Sequence, residues 1–213
     1  MSYPHELLDD PAALARYLGW SEEVYSDFLR VQRGDLSEDA FGEKYHWERA
    51  ILVLDLTGFT RSAMTGEELR SLLRIFDAQK VCLPVLEAHG ADLVRCFADD
   101  MVALFTEAGH ALDAALEIHR RIELFNRTPL ASEDAPLCCA GIGYGRVFAI
   151  GPNLAQGDEM NRASKLGEDI ARANEILVTE RARQAIGPRE DIHFERHDED
   201  HAPFPFFRVS RRC

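Results

Sequence analysis

The sequence is short of positive charge, of long apolar stretches and of pairable cysteines, and each shortage counts against a class of function. Lysines and arginines number 24 against 37 aspartates and glutamates, a formal net charge of −13. A surface that acidic repels phosphate backbones and anionic lipids, so neither nucleic acid nor a membrane is expected as a partner. No apolar run approaches the ~20 residues a membrane-spanning helix requires. The opening MSYPHELLDD has neither a basic nor an apolar stretch, so no secretory signal is expected. The cysteines (Cys82, Cys96, Cys138, Cys139 and Cys213) are odd in number, contain no C-x-x-C, and mostly lie in apolar runs. Free, buried thiols in a reducing cytoplasm are the expectation. A G-x-x-x-x-G-K-[ST] loop is missing, which sets a P-loop ATPase aside. What remains is ordinary globular composition: 213 residues, 46% hydrophobic and 29% charged, enough for one well-buried domain plus decoration.

Along the chain, residues 1–47 read as a helical extension. Asp10 with Pro11 starts one helix, and Ser21 with Glu22 and Glu23 starts a second that Gly34 ends. From Ala50 the pattern alternates between strand and helix. Ala50–Asp55 is an apolar strand, Leu56–Thr60 a turn, and Leu69–Val81 a helical stripe that Pro84 kinks or ends. Ala91–Phe97 and Met101–Phe105 read as a hairpin with Ala98–Asp100 at its tip. A helix over Ala108–Asn126 follows, then a strand pair (Leu137–Tyr144, Arg146–Ile150), a helix over Gly157–Ala173, a strand to Thr179 and a short helix to Ile186. His193–Arg196 and Phe206–Ser210 are weaker strands. The order β-α-β-β-α-β predicts a ferredoxin-like α/β (α+β) sandwich over 48–213.

Two clusters carry candidate chemistry. Asp55 ends a buried apolar strand, where a carboxylate is costly unless paired or bound to a cation. The turn after it offers backbone N–H groups to phosphate oxygens. A ferredoxin-like topology puts Asp99 beside it, and such hard oxygen ligands suit Mg²⁺ or Mn²⁺. The plain alternative is a turn cap plus solvated turn residues. In the second cluster, Asn161 and Lys165 share one helix face, an amide beside a cation, as a charged phosphorane would require. Read alone, they are equally a solvated helix surface. His193, His197 and His201 are set aside as a zinc site, because four-residue spacing gathers ligands only on a helix.

The motifs ILVLDLTGFT, GADLVRCFADDMVALF, GIGYGRV and GDEMNRASKL…NEILVT, in that order, resemble the class III nucleotidyl cyclase catalytic domain from about Glu48 to Thr179. The resemblance implies Asp55 and Asp99 as ligands of two metal ions, with Leu56, Thr57, Gly58, Phe59 and Thr60 as the phosphate loop. It implies Asn161 and Lys165 as the transition-state pair. It further implies a homodimer whose active sites lie at the interface, a nucleoside triphosphate substrate, and a cyclic monophosphate product. Departures accompany the matches. Asp100 competes with Asp99 for the metal role, although the flanking strands rank Asp99 first. Lys165 stands where an arginine is expected, losing the planar fork but keeping the charge, and Arg162 is an alternative. Arg95 and Leu154 occupy the base-reading positions, with Asn153 and Gln156 as polar neighbours. This altered pocket on a compact chain is similar to the pyrimidine cyclases of bacterial Pycsar anti-phage systems. That likeness implies cyclic UMP or cyclic CMP as product, UTP slightly favoured, and a separate effector that reads the signal. An adenylate or guanylate cyclase, and a catalytically silent cyclase-like domain, are the alternatives.

Overall fold

The computed structural model describes residues 6–57, 68–131, 136–150, 154–198 and 202–212. Three helices, α1 (Pro11–Leu18), α2 (Glu22–Arg33) and α3 (Glu38–Tyr45), lead without a linker into β1 (His46–Leu56). Asp10 and Ser21 cap the first two as their side-chain chemistry predicts, accepting from Ala13 N and Val24 N. The third helix, capped by Ser37, was not legible in the sequence. Tyr25, Phe28, Phe41 and Tyr45 of this extension cluster with Trp20, and Phe41 reaches Phe148 of the sheet at 5.8 Å. Asp27, 4% exposed, ties α2 to α3 by accepting from Lys44, Tyr45 and Arg30.

Beyond β1 come α4 (Glu68–Ala88), β2 (Leu93–Phe97), β3 (Asp100–Phe105), α5 (Ala108–Asn126), β4 (Cys138–Ile150) and β5 (Leu154–Gln156). Next are α6 (Asp158–Ser164), which runs on as a π-helical turn (Lys165–Ile170), β6 (Ile176–Thr179), α7 (Glu180–Ile186), β7 (Ile192–His197) and β8 (Phe206–Arg211). The strands form one sheet in the order β2-β3-β1-β4-β6-β8-β7, with β5 paired to β4. Its β2-β3-β1-β4 portion, with α4 and α5, is the βαββαβ arrangement expected. Two expectations need correction. Pro84 neither ends nor dislodges α4, because Cys82, Val85 and Leu86 around it are fully buried and hold the helix on the core despite the lost hydrogen bond. The strand pair expected over 137–150 is one strand, since β4 pairs with β1 along its length, from Leu56 opposite Cys138 to His46 opposite Phe148.

Alternation along β1 sorts the two faces of the sheet. Ala50, Leu52, Leu54 and Leu56 pack with α4 and α5 in the main core. Ile51 and Val53 pack with Val102, Leu104, Met160 and Ala163 beneath α6. The Gly141-x-Gly143-x-Gly145 pattern has its physical reason on this second face, where the α6 backbone lies directly on β4. A Cβ on Gly141 would stand 2.1 Å from Ala163 O, and one on Gly143 would stand 2.6 Å from Glu159 O. Gly141→Ala therefore must lift α6 off the sheet. A loss of roughly 1–3 kcal/mol or more in urea unfolding is expected, with a change under ~0.5 kcal/mol marking the contact as compliant.

Candidate functional site

The register of β1 against β3 decides which carboxylates meet. Leu54 pairs with Met101, so Asp55 comes directly opposite Asp100 one step further on. On its other side Asp55 pairs with Cys139 of β4. Alternation puts these three side chains on the α6 face, together with Arg95, whose partner Val102 lies in that face's core. The hairpin tip is tighter than expected, with only Ala98 and Asp99 in the turn and Asp100 already in β3. Asp99 stays close enough for its charge to act on both Asp55 and Asp100.

Two carboxyls facing each other in a half-buried row cannot both ionise freely. Burial, then the charges of Asp100 and Asp99, push Asp55 up to about 7. Asp100 is raised too, first by burial and then by Asp99. The hydrogen bond with Asp55 and the nearby Arg95 guanidinium oppose this. The Cys139 thiol, 1% exposed, lies 3.7 Å from Asp55 Oδ2 and donates to Gly167 O at 3.1 Å, joining the Asp55 strand to the π-helical turn. That turn brings a further carboxylate, Glu168. Although its side chain reaches solvent, its pKa is raised by partial burial and then by Asp100, with Ser164 and Arg95 opposing.

An acid whose folded-state pKa lies above its unfolded value costs folding free energy when it ionises. For Asp55 that cost is absent below pH ~4 and complete above pH ~7, so the metal-free chain loses stability as pH rises through that window. Solvent screening leaves the loss at roughly 1–3 kcal/mol. Asp55→Asn in chelator should therefore raise the melting temperature at pH 8 and leave it little changed at pH 4. Equal shifts at both pH values would show that the Asp55 charge is not strained.

Asn161 and Lys165 lie one turn apart at the junction of α6 with the π-helical turn. Asn161 is exposed, and Lys165 Nζ holds Asp169 at 2.7 Å. Arg162, the alternative cation, is committed elsewhere: it pairs with Asp158 at 2.9 Å and lies over the Phe204 ring at 4.9 Å. Glu159 anchors the helix from below. It is 2% exposed and accepts from Thr179 Oγ1 at 2.7 Å and Tyr144 N at 3.2 Å. Of the expected phosphate loop, Leu56 belongs to β1, and the Thr57 N–H already donates to Leu137 O. Gly58, Phe59 and Thr60 lie outside the described residues, as does Asn153, and Leu154 is described only by its backbone, in β5.

Sequence reading missed Cys139, Glu159 and Glu168. Cys139 looked like core, and only the strand register puts it beside Asp55. Glu168 depends on the π-helical turn, which shifts the residues after Lys165 around the helix axis. His193 and His197 sit on strand β7, where four residues span about 13 Å, too far for one metal. Among the described residues, no three His, Cys, Asp or Glu side chains gather closely enough to enclose a metal ion. None of the described helices is long and apolar enough to cross a membrane.

The sequence matches no family model and no curated protein. Its fold does match solved structures. The guanylate cyclase domain of RhGC from Catenaria anguillulae, in complex with GTP, superposes with a TM-score of 0.64 at 17% identity, over 79% of this chain and 99% of that one. The adenylyl cyclase CyaB from P. aeruginosa gives 0.63 at 14%, over 79% and 96%. An adenylate/guanylate cyclase/hydrolase from Silicibacter pomeroyi gives 0.60 at 24%, over 78% and 96%. The architecture is that of the class III cyclase catalytic domain.

Proposed function

We propose that the chain is a nucleotidyl cyclase, converting a nucleoside triphosphate to its 3′,5′-cyclic monophosphate and pyrophosphate. The observation that carries this reading is that Asp55 and Asp100 meet on one face of a cyclase-type sheet, with Asp99 in the adjoining turn and the helix bearing Asn161 and Lys165 packed on that face. The like-charge strain at Asp55 fits a divalent cation, and two or three carboxylate oxygens with substrate phosphates completing the shell suit Mg²⁺ or Mn²⁺. Asp55 and Asp99, with Asp100 as the rival to Asp99, would hold the two ions. When bound, these supply Lewis-acid activation of the ribose 3′-hydroxyl and neutralise the departing pyrophosphate.

The chain's own residues then orient and stabilise. The Asn161 amide donates to the substrate, and Lys165, released from Asp169, places its ammonium against the equatorial oxygens of the α-phosphorus, where charge builds up. The active unit is a homodimer, each site taking its carboxylates from one protomer and Asn161 with Lys165 from the other. The surface of α4 supports this. Leu69, Leu72, Leu73 and Phe76 are exposed while Ser71, Arg74 and Asp77 of the same helix are buried, an inverted amphipathic pattern that wants an apolar partner.

For the base, the proposal is a pyrimidine, UTP slightly ahead of CTP, with Arg95 and the Leu154 strand at the reading positions. A guanidinium fits the O2 and N3 acceptors of cytosine or a uracil carbonyl. The solved relatives are adenylyl and guanylyl cyclases, so ATP or GTP is the second reading. A role in anti-phage signalling from the cytoplasm, through a separate effector, belongs to the same proposal. The purified chain should be incubated with Mn²⁺ and each of ATP, GTP, CTP and UTP, and its products identified by mass. Cyclic UMP or cyclic CMP is expected as the main product. Product from ATP or GTP alone would overturn the pyrimidine assignment, and no product from any would favour a silent domain.

A further inference from the structure

The helix that bears Asn161 has little of its own to hold its orientation. α6 is seven residues long, and its N-cap, Gly157, makes no side-chain hydrogen bond. The sheet beneath it is smooth where Gly141 and Gly143 present no side chain, and Met160 and Ala163 supply the helix's apolar contact there. Such contact is non-directional, so it resists lifting better than turning. Direction comes from Glu159, 2% exposed, whose Oε2 accepts hydrogen bonds from two other elements. One donor is Tyr144 N at 3.2 Å. There β4 has run past its last pair with β6, Ile142 opposite Val178, and the carboxylate stands where a strand neighbour would. The other donor is Thr179 Oγ1 at 2.7 Å, which also accepts from Ala182 N at 3.1 Å and so caps α7. Gly145 leaves the room, since a Cβ there would come 3.0 Å from Glu159 Cγ. Arg162 and Arg181 stand off Oε1 at 3.7 and 3.9 Å, beyond hydrogen-bond reach.

We propose that Glu159 is a positioning residue for Asn161, fixing the rotation of α6 about its axis through these two hydrogen bonds rather than through its charge. Residues two apart on an α-helix project about 200° from each other, so a carboxylate locked beneath α6 aims the exposed Asn161 away from the sheet. Lys165 follows one turn further on and shares that aim. Without the carboxylate, the Thr179 hydroxyl and the Tyr144 N–H lose their acceptor, and the helix turns on its glycine bed. The role of Asn161 in this proposal rests on the cyclase reading; the lock on α6 does not.

Glu159→Gln, Glu159→Ala and Thr179→Val should be compared with the wild type in two arms. In the first, kcat and KM are measured with Mn²⁺ and the best nucleotide at a temperature where every variant is folded. Glu159→Ala should lose about a hundredfold in kcat, the cost of a group held about 1 Å out of place, with KM changed by no more than about twofold. Glu159→Gln should keep kcat within about threefold, because one amide oxygen can accept both bonds. Thr179→Val, which removes one donor, should lose about tenfold. Adding it to Glu159→Ala should cost little more, since both act on one network. In the second arm, hydrogen exchange over residues 158–170 is followed in chelator without nucleotide. Glu159→Ala should speed exchange in that segment by about tenfold or more, and Glu159→Gln should not. A kcat preserved in Glu159→Ala, or lost equally in Glu159→Gln, would overturn the proposal. So would exchange that rises evenly over the whole chain, the mark of a merely structural role. If the wild type makes no cyclic nucleotide, the cyclase reading fails on the first arm, while unchanged exchange in Glu159→Ala separately ends the lock on α6.

Discussion

Replacing Asp55 with alanine should reduce cyclic nucleotide formation by about a thousandfold or more, the scale on which preorganised charge stabilisation acts, while leaving a folded, dimeric chain. The asymmetry between activity and stability is the informative part. Asp55 is half-buried opposite Asp100 and beside buried Cys139, with its carboxyl pushed up to about 7. Its removal deletes a strained charge and little core volume, so the melting temperature should hold or rise at pH 8. Circular dichroism and sizing of the variant, beside product quantification at saturating Mn²⁺, check both halves. Near-normal turnover would end the metal-ligand assignment. A collapsed melting temperature would instead mark Asp55 as structural. The same assay ranks the neighbours, since the second ligand is whichever of Asp99→Ala and Asp100→Ala matches the Asp55 loss. Strand flanks favour Asp99, whereas the face shared with Asp55 favours Asp100.

Mixing Asp55→Ala with Lys165→Ala, each nearly inactive alone, should restore up to about a quarter of the wild-type rate. Random reassociation makes about half the dimers mixed, and each mixed dimer has one site with both lesions and one with neither. The single chain makes this a real contest. Gly167, two residues past Lys165, accepts from the Cys139 thiol that lies against Asp55, so the two groups are also neighbours within one protomer. If they act within one chain, every site in a mixed dimer carries a lesion and no activity returns after verified subunit exchange.

The elements were legible in the sequence where local chemistry dominates. The apolar run of β1, the caps Asp10 and Ser21, the hairpin around Asp99 and the glycine alternation at 141–145 each follow from side-chain shape, spacing or an orphan backbone group. So does the order of strands and helices, and with it the fold class. Where local preference met tertiary burial, burial prevailed. Pro84 stays inside α4 because its neighbours are anchored in the core.

Composition and motif order alone determined that this acidic chain builds an α/β sandwich with carboxylates at one end and an amide–cation helix beside them. Only the tertiary structure decided that Asp100 rather than Asp99 faces Asp55, that Cys139 bridges strand and helix, and that Glu168 comes within reach of the Asp100 charge. It also decided that Thr57 spends its N–H within the fold. The physical reason is common to all four. Strand register has a period of two, so a single-residue choice reverses which side chain meets which. A π-helical turn rotates everything after it, and neither is specified by the residues at the site itself.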